Sequence, residues 1–441
     1  MPVRIANLGQ YTPLRPLLIV FLISLVVRLA IFWFMLGQVD EPHIRTVTPD
    51  VKHYIIASEH ILRDFDFSHY DLDGFGPGYP AYIALLRAVF ADDARIMVGF
   101  NLLVSALGSL LLGLLAWHLT GDHRVAWLAS LIHALSPSSI FLATTLLSDT
   151  VYFTLLAAGL FLFVLALKSD RKWLYILCGV WFGVAPLVRS IGTFFPAVLL
   201  VIAWAFLRRR PIISSRHFRR FPVGPVVTVA LAFALLWGYT LRPREAGEPP
   251  ISYAAYNGLF KVTAKIRSEL NGTTYDKGLE DSYRAMDDMK QEKQCGLMEA
   301  FMLCSQAEFS RCAREHPLVT ASVIVNNAWN NSNSEISVVS ASLPAWGADW
   351  REWEKRLERY KLNYRHVVFA LIGMVLLIFR RRWDLVWIVG TIYAYFYLTN
   401  AFVMGQGNRP FYPGMIAWSI LAAYALSAGV AWAAGRRSRG V

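Results

Sequence analysis

The chain has 441 residues, of which 56% are hydrophobic and 17% are charged, and its formal net charge at pH 7 is +12. The mean hydropathy is +0.41 and the apolar residues are gathered into long runs, which indicates a polytopic integral membrane protein and excludes a soluble domain of ordinary composition. The Lys and Arg residues cluster beside those runs, so the positive charge indicates membrane topology and argues against a nucleic-acid partner.

The apolar runs predict an all-α polytopic membrane protein with about ten transmembrane helices, because a span needs roughly 17–25 mostly apolar residues. The first run is too long for the apolar core of a signal peptide and no small-residue cleavage site follows it, so we expect it to remain as a span. The predicted spans lie near residues 15–37, 96–118, 124–142, 147–167, 171–188, 191–207, 224–242, 364–380, 384–402 and 411–434.

The basic clusters predict one orientation throughout. Under the positive-inside rule they place both termini in the cytoplasm of a multi-pass inner (plasma) membrane protein. Two polar segments, 38–95 and 243–363, then lie on the external, periplasmic side. The predicted organisation is a transmembrane module over 1–242 that includes the first external loop, an external and mostly helical domain over 243–363, and C-terminal transmembrane helices over 364–441.

The first external loop carries a candidate catalytic carboxylate. Asp50 follows Pro49, has the position of a helix N-cap, and is followed by an amphipathic helix. Capping alone would explain Asp50, and the acidic pair Asp40 and Glu41 competes with it for a catalytic role. His53 and Tyr54 lie on the same predicted helix and are candidates for lining a substrate cleft.

A second short helix is predicted after the Gly/Pro turn at residues 76–80, which includes Tyr79. Its apolar run is too short to span a bilayer, so both helices of the loop are expected to lie in the membrane interface. Together they would roof the outer end of the bundle and form a cleft that contains a carboxylate and the Tyr79 side chain.

Three charged residues are predicted near the outer membrane face. Asp149 opens the fourth span, Arg189 lies between the fifth and sixth, and Arg409 precedes the last span together with Tyr412. Charged groups at this depth are costly and are usually paired or functional, and the planar fork of Arg suits a phosphate. The alternatives are that Arg189 pairs with Asp149 or with a backbone carbonyl, and that Arg409 reaches toward lipid headgroups.

The cysteine and histidine patterns predict no metal site. Cys295, Cys304 and Cys312 fit no zinc-binding spacing, and the sequence predicts one disulfide among them if their segment is external, without fixing which pair forms. The segment also shows helical patterns over residues 252–270, 280–314 and 317–329. A cluster of Trp residues at 346, 350 and 353 reads as an interface anchor or as a sugar-stacking surface.

Taken in chain order, these motifs resemble the GT-C superfamily of membrane glycosyltransferases, in particular the branch of protein O-mannosyltransferases and aminoarabinose transferases. The motifs that carry the resemblance are Pro49-Asp50 with the helix after it, the turn at 76–82, Leu147-Ser148-Asp149, the segment 189–192, and the segment 409–413. The resemblance implies that Asp50 is the catalytic aspartate, that Arg189 contacts a lipid phosphate, and that Asp149 is the acidic residue at the outer end of a span. Two of the motifs depart from the family pattern: Val51 stands where many members have glutamate, and Pro410 and Phe411 separate Arg409 from Tyr412.

The resemblance implies an inverting glycosyltransferase that moves a sugar from a polyprenyl-phosphate donor to a hydroxyl of a lipid, glycan or protein acceptor. No cofactor is expected, because the chain shows no glycine-rich phosphate loop. The alternatives are a transporter or flippase of lipid-linked sugars, which predicts charged residues at mid-span and broken helices, and a non-catalytic assembly factor for envelope glycans. Arg28 is the charged residue that the sequence places at mid-span.

Overall fold

A computed structural model describes residues 14–36, 41–46, 49–67, 76–169, 171–208, 223–240, 253–294, 297–333, 362–402 and 409–437. The secondary structure of these residues is helical, which confirms the predicted all-α class. The first helices are α1 (Leu14–Leu36), α2 (Glu41–Thr46), α3 (Pro49–Asp64), α4 (Gly78–Val89), α5 (Ala94–Thr120), α6 (His123–Ala134), α7 (Pro137–Ala143), α8 (Ser148–Ser169) and α9 (Lys172–Val188). After a 3₁₀ turn (Ser190–Gly192) come α10 (Phe195–Arg208), α11 (Val223–Thr240), α12 (Tyr253–Leu270), α13 (Tyr275–Lys293), α14 (Leu297–Glu315), α15 (Pro317–Asn333), α16 (Leu362–Phe379), α17 (Trp383–Asn400), a second 3₁₀ segment (Arg409–Gly414) and α18 (Met415–Arg437).

The structure supports a multi-pass membrane protein. Within the described residues, four helical segments are long and apolar enough to cross a bilayer, and the bent pair α6–α7 would make a fifth. The shorter apolar helices coincide with α9, α10, α11 and α16. These helices match the predicted runs in order, while the number of ten spans stays a prediction. The four long segments are Leu14–Phe34, Ala94–Thr120, Ser148–Ser169 and Tyr412–Trp432.

Helix α8 lies at the centre of the bundle. It packs against α5 on one side and α9 on the other, and its Phe153 and Phe163 side chains are fully buried. By contrast, α1 leaves apolar side chains such as Val26 and Trp33 exposed on one side, as a helix that faces lipid does. The N-terminus of α8 is therefore held by protein on several sides, and it carries Ser148 and Asp149.

The third apolar run forms a broken span rather than the continuous helix that the sequence predicted over 124–142. Helices α6 and α7 meet at a bend of 54°, because Pro137 lacks the N–H that would continue the first helix. The buried guanidinium of Arg28 bridges the break. Its Nη1 donates to the carbonyl oxygen of Ala134 at 2.8 Å, its Nη2 donates to Ser139, and its Nε donates to Ser105 at 2.9 Å.

The helices between residues 253 and 333 build two small cores of their own. Phe260, Met286 and Phe301 form one, and Val262 and Val323 belong to the other. The predicted helical segment over 280–314 is in fact two helices, α13 and α14, because the chain takes a left-handed backbone conformation at residue 294. Helix α15 starts at the predicted position and packs against α17, so this domain contacts the membrane bundle.

Two of the cysteines in this domain cannot pair with each other. Cys304 and Cys312 are both free thiols on α14. Eight residues on one helix are about 12 Å apart along the axis, which exceeds the reach of a disulfide. Cys295 and the tryptophans at 346, 350 and 353 lie outside the described residues, so their predicted roles stay predictions.

The turn before α4 packs closely against the C-terminal end of α9. Gly76 has a φ of +75°, which favours glycine. A Cβ on Gly78 would lie 2.8 Å from the carbonyl carbon of Leu187 and 2.8 Å from the backbone nitrogen of Val188. The absence of a side chain at Gly78 is what allows the turn to contact the residues directly before Arg189.

We predict that Gly78→Ala lowers the thermal unfolding midpoint of the detergent-solubilised protein. The new methyl group meets backbone atoms that cannot rotate away, and such overpacking costs about 1–3 kcal/mol. The matched control is Gly99→Ala in α5, where a Cβ would meet nothing within 4 Å and alanine favours the helix. An unfolding midpoint for Gly78→Ala equal to that of Gly99→Ala would contradict the close contact.

Candidate functional site

Arg189 and Asp149 form an ion pair at one end of the bundle. The distance from Arg189 Nη1 to Asp149 Oδ1 is 2.7 Å, the Asp149 side chain is fully buried, and 12% of the Arg189 side chain is exposed. The contact has the geometry of an ion pair rather than a linear hydrogen bond. Asp149 lies in the first turn of α8, and Arg189 directly follows the last residue of α9. The negative charge is therefore stabilised by the positive end of the α8 dipole, and the positive charge by the negative end of the α9 dipole.

Helix α3 is tied to this ion pair through a serine. The Tyr54 hydroxyl lies 3.1 Å from Ser148 Oγ, and Arg189 Nη1 lies 3.4 Å from the same oxygen. Asp50 is half-buried in the first turn of α3, inside the helix rather than at the predicted cap, and precedes Tyr54 by one turn. Residues four apart share a helix face, so Asp50 is on the side of α3 that carries Tyr54. His53 is half-buried beside Tyr54.

Tyr79 packs against the ring of Tyr54. The two rings meet edge to face with centroids 4.8 Å apart, and Tyr79 is fully buried. Asn101 Nδ2 in α5 donates to the Tyr79 hydroxyl at 3.0 Å and to the carbonyl oxygen of Thr145 at 2.9 Å. Burial raises the pKa of the Tyr79 hydroxyl well above its ordinary value, so this group stays neutral. Asn101 was not predicted from the sequence, although a lone amide in an apolar span is a usable signal.

The backbone that follows Arg189 is held from two sides. The Tyr395 hydroxyl of α17 donates to the carbonyl oxygen of Ile191 at 2.7 Å. A Cβ on Gly192 would run into the hydroxyl of Tyr152, which is one turn after Asp149. Tyr395 was not predicted, because 204 residues separate it from Ile191 and no local pattern links them.

Tyr412 lies inside the bundle rather than beside Tyr54 and Tyr79. Its hydroxyl is 3.0 Å from Nε2 of His133, and its ring packs against Phe153 with centroids 5.1 Å apart. The Tyr412 side chain is buried among other helices, and its predicted cleft-lining role stays a prediction. Arg409 begins the second 3₁₀ segment, and its side chain lies outside the described part.

Glu41, the alternative candidate for the catalytic carboxylate, contacts Arg45 and the start of α5. Glu41 Oε1 lies 2.6 Å from Arg45 Nε and accepts from the backbone N–H of Ala94, at the start of α5, at 3.2 Å. Arg45 also reaches Asp92, and Arg87 contacts the same carboxylate. Partial burial raises the pKa of Asp92, but the hydrogen bonds and charges of the two arginines outweigh it and leave that pKa below its ordinary value. Asp40 lies outside the described residues.

Two comparisons by sequence agree on the kind of protein. Residues 75–237 match the family described as dolichyl-phosphate-mannose-protein mannosyltransferase, a segment that includes Asp149 and Arg189. The chain is also similar to GPI mannosyltransferase 2 of Chaetomium globosum, with 28% identity over 222 residues that cover 42% of this chain and 45% of that protein.

The fold is similar to that of a solved membrane enzyme. The structure of the archaeal oligosaccharyltransferase AglB from Archaeoglobus fulgidus in complex with an inhibitory peptide and a dolichol-phosphate aligns with 94% of this chain and 50% of that chain, at a TM-score of 0.54 and 13% identity. The same oligosaccharyltransferase tethered with an acceptor peptide aligns with 95% of this chain and 50% of that chain, at a TM-score of 0.53 and 14% identity. This chain thus spans about half the length of these relatives.

The chain is a polytopic helical bundle with short helices over one end and a buried Arg–Asp pair beneath them. The family match and the similar fold both point to membrane-embedded glycosyltransferases as the class that it resembles. In both sequence and fold, the chain is similar to members of the GT-C glycosyltransferase superfamily. The resemblance drawn from the order of the sequence motifs is confirmed at this level.

We predict that Arg189→Gln destabilises the protein and that the double variant Asp149→Asn with Arg189→Gln recovers part of the loss. Removing the cation leaves a fully buried carboxylate without its counter-charge, which costs about 3–5 kcal/mol, whereas the double variant removes both charges. The measurement is the thermal unfolding midpoint in detergent.

The control for this prediction is Arg284→Gln, which breaks an exposed ion pair with Glu280 on α13. Such pairs contribute about 0–1 kcal/mol, so the midpoint should hardly change. Equal midpoints for Arg189→Gln and Arg284→Gln would contradict the buried pair.

Proposed function

We propose that the protein is an inverting glycosyltransferase that moves a sugar from a polyprenyl-phosphate donor to an acceptor hydroxyl at the outer face of the membrane. The observation that carries the proposal is the Arg189 guanidinium, held by the buried Asp149 carboxylate directly beneath the helix that bears Asp50. The family match and the GPI mannosyltransferase both concern mannosyl transfer, which favours mannose as the sugar.

Arg189 has donors left for a phosphate. Among the described residues it makes its polar side-chain contacts through Nη1, to Asp149 and Ser148. A guanidinium carries five N–H donors, so the donors on Nε and Nη2 can form the paired hydrogen bonds that a phosphate accepts. Asp149 holds the guanidinium in place, so less side-chain entropy is lost when the phosphate binds.

Asp50 serves as the general base in this proposal. Its carboxylate takes the proton from the acceptor hydroxyl while the hydroxyl oxygen forms a bond to the anomeric carbon. The bond from that carbon to the phosphate oxygen breaks on the opposite face, the configuration inverts, and the polyprenyl phosphate leaves with the bonding electron pair. Base catalysis of this kind contributes about 10²–10⁴-fold, and charge stabilisation by Arg189 adds a contribution of about 10²–10³-fold.

The position of Asp50 supports its choice over Glu41. Asp50 shares a face of α3 with Tyr54, which contacts Ser148 next to the ion pair. Glu41 instead pairs with Arg45 and accepts a hydrogen bond at the start of α5.

The acceptor is expected to contact the domain formed by α12 to α15. A groove of about 470 Å³ lies between α12 and α15, and its polar lining includes Lys265, Asn326 and Asn327. Asn327 donates to the carbonyl oxygen of Ala401, close to the end of α17, the helix whose Tyr395 holds the backbone after Arg189. We therefore assign this domain a role in acceptor choice.

A transporter is the second candidate, because the broken span α6–α7 and the buried Arg28 are features that it predicts. In this structure the two halves of the break are joined by the same guanidinium, through Ala134 and Ser139. A bridged break favours a fixed structure over a moving gate, so the glycosyltransferase remains the proposal.

We predict that Asp50→Asn lowers transfer from polyprenyl-phosphate mannose by about 10²–10⁴-fold in membranes that contain the protein, because an amide does not accept the proton at neutral pH. Binding of the donor should be retained, since Arg189 is unchanged. The control is Asp64→Asn at the exposed end of the same helix. Transfer by Asp50→Asn at the rate of Asp64→Asn would rule out Asp50 as the base.

A further inference from the structure

We infer that Arg28 is a positioning residue for the transfer site: it bridges the break between α6 and α7 and thereby fixes the segment that leads into Ser148 and Asp149. The inference rests on the proposed transfer reaction for its kinetic consequence, but its structural part can be tested separately. None of the motifs that point to the function includes Arg28.

The break leaves backbone groups that need a partner. Ala134 ends α6, and the chain then turns by 54° into α7. The last carbonyl groups of a helix have no partner within it, and inside a membrane an unsatisfied carbonyl costs several kcal/mol. Arg28 Nη1 lies 2.8 Å from the Ala134 oxygen, so a cation caps the negative end of α6.

The same guanidinium also holds α7. Nη2 donates to Ser139, which lies in the short helix α7. From Ser139 the chain reaches Ser148 after one turn of α7 and a short connection, in which the carbonyl oxygen of Thr145 accepts from Asn101. The segment before Asp149 is thus fixed at two points, by Arg28 at its start and by Asn101 near its end.

A second route links Arg28 to α8. Arg28 Nη1 contacts Ser24 Oγ, which lies 3.2 Å from Ser109 Oγ, and Ser109 lies 2.8 Å from Nδ1 of His133. The His133 ring stacks on Phe153, with centroids 4.2 Å apart and an interplanar angle of 6°. Phe153 is one turn after Asp149 on α8. Both routes therefore end on the first turns of the helix that holds Arg189 in place.

Arginine is specifically suited to this position. In the part of the chain that the structure describes, the Arg28 guanidinium contacts neutral oxygens of Ser24, Ser105, Ala134 and Ser139 and no carboxylate. Its planar fork reaches helices α5, α6 and α7 at once, whereas the ammonium of lysine is a single point with three donors. A buried charge without a counter-charge is expensive, which indicates that its role goes beyond filling space.

The test compares Arg28→Met, Arg28→Lys and Ser139→Ala with a control, Thr228→Val. Thr228 makes a buried hydrogen bond of similar kind, to the carbonyl oxygen of Tyr175 at 2.9 Å, between α11 and α9. Hydrogen–deuterium exchange is measured on peptides that cover residues 135–149 and 186–192, and transfer is measured as kcat and as KM for polyprenyl-phosphate mannose. Ser139→Ala removes the contact to α7 alone, so the test does not depend on whether Arg28→Met folds.

We expect Arg28→Met to raise exchange in both segments by about tenfold or more and Ser139→Ala to raise it in the first, while Thr228→Val leaves both unchanged. We expect kcat for Arg28→Met to fall by about tenfold to a hundredfold with KM changed less than about threefold, and Arg28→Lys to recover part of the loss.

Increased exchange in the two segments supports the positioning role. If neither the native protein nor any variant transfers sugar, the proposed function is wrong, but the positioning role still stands on the exchange result. Exchange in Arg28→Met and Ser139→Ala equal to that of Thr228→Val overturns the positioning role. Increased exchange with native kcat in Arg28→Met overturns its consequence for the reaction.

Discussion

The ion pair between Arg189 and Asp149 is the constraint on which the candidate site depends. A fully buried carboxylate needs a counter-charge, and the end of the antiparallel helix α9 supplies it at 2.7 Å. Because Asp149 opens α8 and Arg189 ends α9, the pair joins the central helix of the bundle to its neighbour at one membrane face. The guanidinium is consequently held at this end of the bundle, and its polar side-chain contacts within the described residues are made through Nη1.

Other parts of the site pack around this pair. The turn at Gly78 rests on the backbone just before Arg189, and Tyr395 and Tyr152 hold the backbone just after it. Tyr54 brings α3 to Ser148. Several distant parts of the chain thus converge on one arginine, as the proposed transfer would require for accurate placement of a phosphate and a base.

The order and sidedness of the motifs were sufficient to predict the all-α membrane fold and to select Asp149, Arg189 and Tyr54 for one face. Each of these residues has a local signal, such as a charge at the end of an apolar run or a polar turn before a helix. Asn101 and Tyr395 were missed because their roles come from contacts between distant helices. The burial of Tyr412 was not predicted, because its motif gives its position along the chain but not the helices that bury it.

The bend between α6 and α7 is a second case in which contacts between distant helices could not be predicted from the sequence. Pro137 is a visible signal for a break, yet the apolar run around it is long enough to read as one span. The sequence also identified Arg28 as the charged residue at mid-span, but not that its guanidinium joins the two halves of the break. Local patterns predict where a helix can end. The group that satisfies the freed backbone carbonyls at that end, which a membrane requires, is set by tertiary structure.

The most direct test of the account is a structure of the protein with a polyprenyl phosphate bound in lipid. The account predicts that the phosphate contacts Nε and Nη2 of Arg189, that Asp149 keeps its contact with Nη1, and that the Asp50 carboxylate faces the phosphate across the space that a sugar would occupy. A phosphate bound away from Arg189, or an Asp50 carboxylate that faces away from it, would contradict the account.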